Sequence, residues 1–259
     1  MNERKTGKNC LDGLHVLVTR PAGGAPDRLV ASLKEAGATV THHPVIHILP
    51  AKDSHGLRLA LAQLDSFKTI AFFSTAGVTH FLDILDSREI RLPDEIAIAA
   101  IGDATARALN DRGFVATLIP EKSNSSSMAD CLIENTAEGP ILLIRADRGS
   151  TVISDRLEAA GIGFHSAVAY RSADVGEAAP DVLAALRSGK IDWITITSSA
   201  IARSTITLFG NDLQQVKFAC ISDISASALR DAGKEPDVVA EDAGFESLVE
   251  AIVQAESRN

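Results

Sequence analysis

Aromatic side chains are scarce in this chain of 259 residues, which has nine Phe, one Trp and one Tyr. That excludes the close-set stacking platform by which proteins hold single-stranded nucleic acid. Positive charge is also in deficit. Lys and Arg number 25 against 34 Asp and Glu, a net charge of −9, so the footprint of a nucleic-acid or anionic-membrane binder is missing. Only three cysteines occur, Cys10, Cys131 and Cys220, far apart in sequence. Their spacing excludes CxxC redox motifs, cysteine-rich zinc sites and a disulfide framework, and the odd count fits a reducing cytosol. No stretch approaches the roughly 18 continuous apolar residues of a membrane helix. The polar opening MNERKTGKNCLDG carries no signal-peptide core. G-x-G-x-x-G, Walker A, G-x-S-x-G and H-E-x-x-H are all missing, which removes support for dinucleotide, P-loop, elbow-type hydrolase and zincin chemistry. The expectation is a cytoplasmic monomer with no cofactor, no metal, no membrane and no nucleic-acid partner.

What is present is rhythm. Short apolar runs read as buried strands at His15–Thr19, Thr69–Ser74, Ile96–Ile101, Ile141–Arg145, Trp193–Thr197 and Phe218–Ile221. Amphipathic stretches follow at 26–36, Ala76–Leu85, Asp103–Arg112 and Thr151–Ala160, with Gly37, Gly113 and Gly161 as stops. Uninterrupted strands alternating with helices predict an α/β fold with parallel sheets covered on both faces.

The rhythm also repeats. IGDATARALNDRG from Ile101 and ISDISASALRDAG from Ile221 agree at seven of thirteen positions, 120 residues apart. Ser74-Thr75-Ala76 matches Ser198-Ser199-Ala200, and Ala36-Gly37 matches Ala160-Gly161, each 124 residues apart. Two similar βα domains follow. Either the chain splits near residue 135, or its first block joins the last blocks and the middle blocks form the other domain.

In open parallel sheets, ligands bind beyond the carboxyl ends of the strands. Those ends carry Arg20, Ser74, Thr75, Gly102, Thr105, Arg145, Arg148, Thr197, Ser198, Ser199 and Ser225. Small hydroxyls beside helix N-termini suit carboxylates or phosphates, and they also cap helices without any ligand. The three arginines offer bidentate pairing to a carboxylate, or ordinary ion pairs. Asp103 and Asp223 are matched, and helix capping is the preferred reading over an acid–base pair. His42, His43 and His47 lack a carboxylate or thiolate in their cluster, so packing is preferred to metal binding. The run 123–127 (SNSSS) reads as a cap before a helix at Met128–Asn135, or an anion nest. Tyr170, in VAYRSAD, is either packed in the core or a proton donor.

Together these segments resemble the uroporphyrinogen-III synthase family. The resemblance rests on VLVTRP at Val16–Pro21, FFSTAGV at Phe72–Val78, AIGDATARAL at Ala100–Leu109, ILLIRADRG, VAYRSAD, TITSSA and ISDISASAL, in that order. It covers nearly the whole chain from about residue 12. Phe73, Ile224 and Ser225 depart from the family's usual residues. The resemblance implies two flavodoxin-like domains, 1–46 with 172–259 and 50–168, joined by extended connectors at 47–49 and 169–171 with a cleft between them. It implies a lyase that cyclises hydroxymethylbilane, a linear tetrapyrrole with eight carboxylates, inverting the last pyrrole ring through a spiro intermediate. Tyr170 is then the catalytic residue, and the strand-end residues bind substrate. The competing expectations are a non-catalytic cytosolic binder of a polycarboxylate and a transferase acting on another anion.

Overall fold

The computed structural model describes residues 10–21, 27–51, 55–135 and 139–258. Residue 26, the expected start of the first helix, and residues 1–9 lie outside them. In chain order the elements are β1 (His15–Val18), α1 (Arg28–Glu35), β2 (Thr39–His42), β3 (Ile46–Pro50), α2 (His55–Ala62), β4 (Thr69–Phe72), α3 (Thr75–Ser87), β5 (Ala97–Ala100), α4 (Asp103–Asn110), α5 (Ser125–Asn135) and β6 (Ile141–Ala146). They continue as α6 (Val152–Ala159), β7 (Phe164–Asp174), α7 (Pro180–Arg187), β8 (Trp193–Ile196), α8 (Ser199–Phe209), β9 (Lys217–Cys220), α9 (Asp223–Asp231), β10 (Val238–Val239) and α10 (Phe245–Glu256).

The chain forms two compact units, Met1–His47 with Ala173–Asn259, and Ile48–Ser172. The first unit's sheet has the order β10-β9-β8-β1-β2, the flavodoxin-like order in which the first strand sits between the second and third. The second unit's sheet has the order β3-β7-β6-β4-β5. Its run β7-β6-β4-β5 corresponds to β2-β1-β8-β9 of the first, permuted in the chain, with β3 added beyond β7. A lone parallel bridge from Ala99 to Leu118 stands where β10 stands in the first unit. The segments 47–49 and 169–171, expected as connectors, are residues of β3 and β7 and belong to this sheet. Extended backbone with free N–H and C=O groups pairs with a neighbour rather than running unpaired.

Burial follows from period two. In β4, Ile70 and Phe72 pack with Phe81, Leu82 and Leu85 of α3, while Ala71 faces Met128, Leu132, Ile153 and Leu157 of α5 and α6. In the other unit Val16, Val18 and Trp193 pack against Leu29 and Leu33 of α1 and Leu248 and Ile252 of α10. Fully burying each such side chain is worth about 1.5–3 kcal/mol, so both sheet faces require helical cover. The Asp27 carboxylate starts α1 by accepting the Leu29 and Val30 amides at 3.0 and 3.2 Å. Gly37 and Gly161 stop α1 and α6 with φ of 98° and 71°, a left-handed step that a side chain would strain. Among the described residues no helix is long and apolar enough to cross a membrane.

Candidate active site

Four strands turn into helices across two residues, the second of them fully extended. In the second unit these are Ser74 before α3 and Gly102 before α4; in the first, Ser198 before α8 and Ser222 before α9. The Ser74 and Ser198 hydroxyls accept the Gly77 and Ile201 amides at 2.9 and 3.2 Å. Gly102 has no side chain, and its carbonyl accepts the Thr105 and Ala106 amides, both at 3.0 Å. A β-carbon at Gly102 would collide with Ser123. The amides of Thr75, Ala76, Asp103, Ala104, Ser199, Ala200, Asp223 and Ile224 precede any intrahelical acceptor. Helix α3 packs beside α4, and α8 beside α9, so each unit presents two adjacent positive helix ends, the arrangement that binds anions. At one pair of mouths the Ser199 hydroxyl donates to the Ile224 carbonyl at 3.5 Å.

Several expectations change here. Asp103 and Asp223 are the first helical residues, not the caps, which are Gly102 and Ser222. Their charge favours the helix end without closing it. Helix α5 begins at Ser125, three residues before Met128, because the Asn124 side chain accepts the Ser127 amide at 2.9 Å. Ser225 is 1% exposed, and its hydroxyl donates to the Ser222 carbonyl at 2.8 Å within a capping box.

Tyr170 is brought into place by a register shift. Arg145 of β6 faces Val168 of β7, but Ala146 faces Tyr170, leaving Ala169 as the extra residue of a bulge. A bulge re-aims the side chains beyond it. The Tyr170 hydroxyl lies 2.9 Å from the Ser74 hydroxyl, and the His80 ring stacks on the phenol at 5.9 Å between centroids. Tyr170 is 9% exposed. Burial pushes its phenol above the ordinary tyrosine range and Asp147 adds to that, while the Ser74 bond opposes it. The phenol therefore keeps its proton at neutral pH and can donate it.

The arginines differ from one another. The Arg20 guanidinium donates to Asp27 at 2.6 Å and lies 4.7 Å above the Phe245 ring. Arg145 donates to the Gly149 and Ser150 carbonyls at 2.6 and 3.0 Å, holding the loop that leads to α6. Arg148 is exposed on that loop. Thr105 is buried at 3% exposure, Thr197 and Ser198 are half-buried, and Thr75 is exposed at the mouth of α3. Sequence reasoning placed Asp147 at a strand end without giving it a role, and it missed His80 and Arg171, whose Nε is buried with no acceptor among the described residues. Arg171 lies within VAYRSAD and Asp147 within ILLIRAD, and nothing marked His80.

The histidine cluster is dispersed. His42 bonds the Arg20 carbonyl through Nε2 at 2.8 Å, His43 packs on Phe209, and His47 is exposed. Burial holds the His43 imidazole below its ordinary value. Among the described residues no group of three His, Cys, Asp or Glu side chains could hold a metal ion. Cys10 and Cys131 are half-buried; Cys220 is buried, which pushes its thiol up to about 11.

A sequence profile described as Uroporphyrinogen-III synthase HemD matches residues 27–250. The chain belongs to the uroporphyrinogen-III synthase family. A porphyrin biosynthesis protein HemD from Ruminiclostridium josui is 26% identical over 251 residues, which cover 95% of this chain and 49% of that protein. The chain thus spans about half the length of that relative. A uroporphyrinogen-III synthase from Synechococcus elongatus is 28% identical over 221 residues, covering 85% of this chain and 83% of that one. Solved uroporphyrinogen-III synthases share the fold. One from Thermus thermophilus has a TM-score of 0.63 at 17% identity, covering 95% of this chain and all of that one. One from Helicobacter pylori has a TM-score of 0.62 at 16% identity, covering 93% and 99%. Uroporphyrinogen-III synthases are cyclising lyases of haem biosynthesis.

Proposed function

We propose that this chain cyclises hydroxymethylbilane to uroporphyrinogen III with loss of water. The observation that carries the reading is the family match over residues 27–250. Tyr170 is the catalytic residue of this reading. Its neutral phenol donates to the departing hydroxyl, the C–O bond breaks, water leaves with the phenol's proton, and the N–H of the pyrrole that lost the hydroxyl returns a proton to the phenolate as the azafulvene forms. The resulting azafulvene carbon bonds to the substituted position of the last pyrrole, giving the spiro intermediate. Fragmentation and reclosure then invert that ring. Uncatalysed closure gives the symmetrical type I isomer, so the protein's main contribution is to hold one conformer, an orientation effect.

Eight carboxylates need many donors. The reading assigns them to the helix mouths at Ser74, Thr75, Gly102 and Thr105 and at Thr197, Ser198, Ser199 and Ser225, with Arg20, Arg145 and Arg148. In that assignment Thr105 and Ser225, being buried, act by holding the first-turn amides in place. A net charge of −9 does not forbid an anionic substrate, because the Debye length at physiological salt is about 8 Å and distant charge is screened. The same reading takes the chain to act as a cytoplasmic monomer, without cofactor or nucleic acid.

The test is product analysis. Hydroxymethylbilane is generated in situ, the protein is added, the product is oxidised, and the two isomers are separated. An excess of type III is expected. Type I alone, from folded protein, overturns the reading.

A further inference from the structure

We infer that Asp147 is a positioning residue for Tyr170, clamping the bulged end of β7 so that the phenol stays on the Ser74 hydroxyl. The inference rests on the catalytic reading of Tyr170 only for its effect on turnover. Asp147 follows β6 directly and holds β7 at two points. Its amide donates to the Tyr170 carbonyl at 3.1 Å. Its carboxylate Oδ1 accepts the Ser172 amide at 3.0 Å and the Arg148 amide at 2.9 Å. The two contacts fall on Tyr170 and Ser172 and bracket Arg171.

Ladder bonding is weakest where this clamp sits. The register breaks between Arg145 and Ala146, and the pairing of β6 with β7 ends at Ala146 with Tyr170. A bulge disrupts the ladder locally, so the strand beyond it needs other acceptors. The Asp147 side chain is the acceptor for the first amide past Arg171. Without it the Ser172 amide turns to water, and of the two contacts to β7 only the backbone bond to the Tyr170 carbonyl remains. The titratable groups around the phenol are His80, stacked on its face from α3, and Asp147 at the end of β6.

The sequence offers an internal probe, because Tyr170 is the chain's only tyrosine. Its ionisation is read directly from the ultraviolet phenolate band in the intact protein. Two variants separate charge from clamp. D147N removes the charge and keeps an oxygen acceptor; D147A removes both. The wild-type phenol is expected to titrate highest. D147N should titrate lower, having lost the carboxylate's repulsion of a phenolate. D147A should titrate lower again, because a released phenol loses burial, the larger influence. In turnover, D147A is expected to lose roughly tenfold in kcat with KM little changed, and D147N to recover most of it.

Identical titration of folded D147N and D147A overturns the clamp, and so does unchanged kcat in D147A when Tyr170→Phe itself slows turnover. The two readings fail separately. If Tyr170→Phe turns over at the wild-type rate, the catalytic role of Tyr170 falls, while the phenol titrations still decide whether Asp147 holds it.

Discussion

The hydroxyls of Ser74 and Tyr170 lie 2.9 Å apart although 96 positions separate them in the chain. The contact joins the cap of α3 to the bulged end of β7, and it gives Ser74 two tasks. The hydroxyl accepts the Gly77 amide and also supports the phenol. Removing it in Ser74→Ala should cost about 1 kcal/mol of stability through the lost cap. It should also raise the Tyr170 pKa further, since the Ser74 bond favours the phenolate. Ultraviolet titration of the single tyrosine checks the sign; a downward shift contradicts it.

Tyr170→Phe keeps the ring and the His80 stack and removes only the hydroxyl. Turnover to the type III isomer is expected to fall roughly tenfold or more, as general acid assistance is worth about 10²–10⁴. The sign of the pH effect follows from the raised phenol. The proton is fully present below the ordinary tyrosine value of about 10 and is lost only as pH rises through the higher folded value. Wild-type turnover should therefore show no tyrosine-dependent decline below about pH 10, and the variant should lack that alkaline limb altogether. Rate profiles of the two proteins, after subtraction of spontaneous closure, decide it.

The far end of the first unit offers a pH effect of opposite sense. The Glu256 carboxylate accepts from Lys217 at 2.7 Å and from the Trp193 indole at 2.9 Å, tying α10 to β8 and β9. The Lys217 bond holds the carboxyl below its ordinary value, with the Trp193 bond helping and burial opposing. A depressed carboxyl contributes stability that is complete above the unfolded glutamate value of about 4.3 and is lost as pH falls through the folded value. Glu256→Ala should destabilise this unit by about 1 kcal/mol at neutral pH, a charged hydrogen bond discounted for solvent. The difference from wild type should shrink toward zero in acid. Trp193 is the only tryptophan, so its fluorescence in denaturant melts at two pH values provides the measurement.

The sheets were legible because their strands are unbroken apolar runs, as at Val16–Val18 and Ile141–Ile144, and a strand covered on both faces needs nothing else. Strand β3 and most of β7 were not, because β7 mixes half-buried with buried positions and carries a bulge, which breaks the period a pattern search relies on. The site was legible at the level of its helix mouths, since each sits where an apolar run meets Ser, Gly or Thr. The occupation of each side chain was not. Arg20 pairs with Asp27 through one guanidinium nitrogen and Arg145 bonds the backbone of its own loop, and neither bond leaves a mark in composition. Ser225 looked like a ligand-facing hydroxyl, but a serine three residues after Ser222 completes a capping box as a glutamate does more recognisably.

Gly102 tests how closely the helix mouths are built. Its backbone is fully extended, with φ of 174°, a conformation open to any residue, so alanine there brings no backbone strain. The cost of Gly102→Ala is contact: the new methyl would overlap the Ser123 hydroxyl and come within 2.8 Å of its Cβ, while the Ser123 Cα stays 3.7 Å away. Overpacking of this kind costs about 1–3 kcal/mol. Removing the Ser123 side chain should relieve it, so G102A in a Ser123→Gly background should cost much less than G102A alone. A double-mutant cycle by chemical denaturation reads this as a coupling energy. Simple additivity of the two changes would mean that α4 and the chain before α5 part easily, and that the α4 mouth is not held by Ser123.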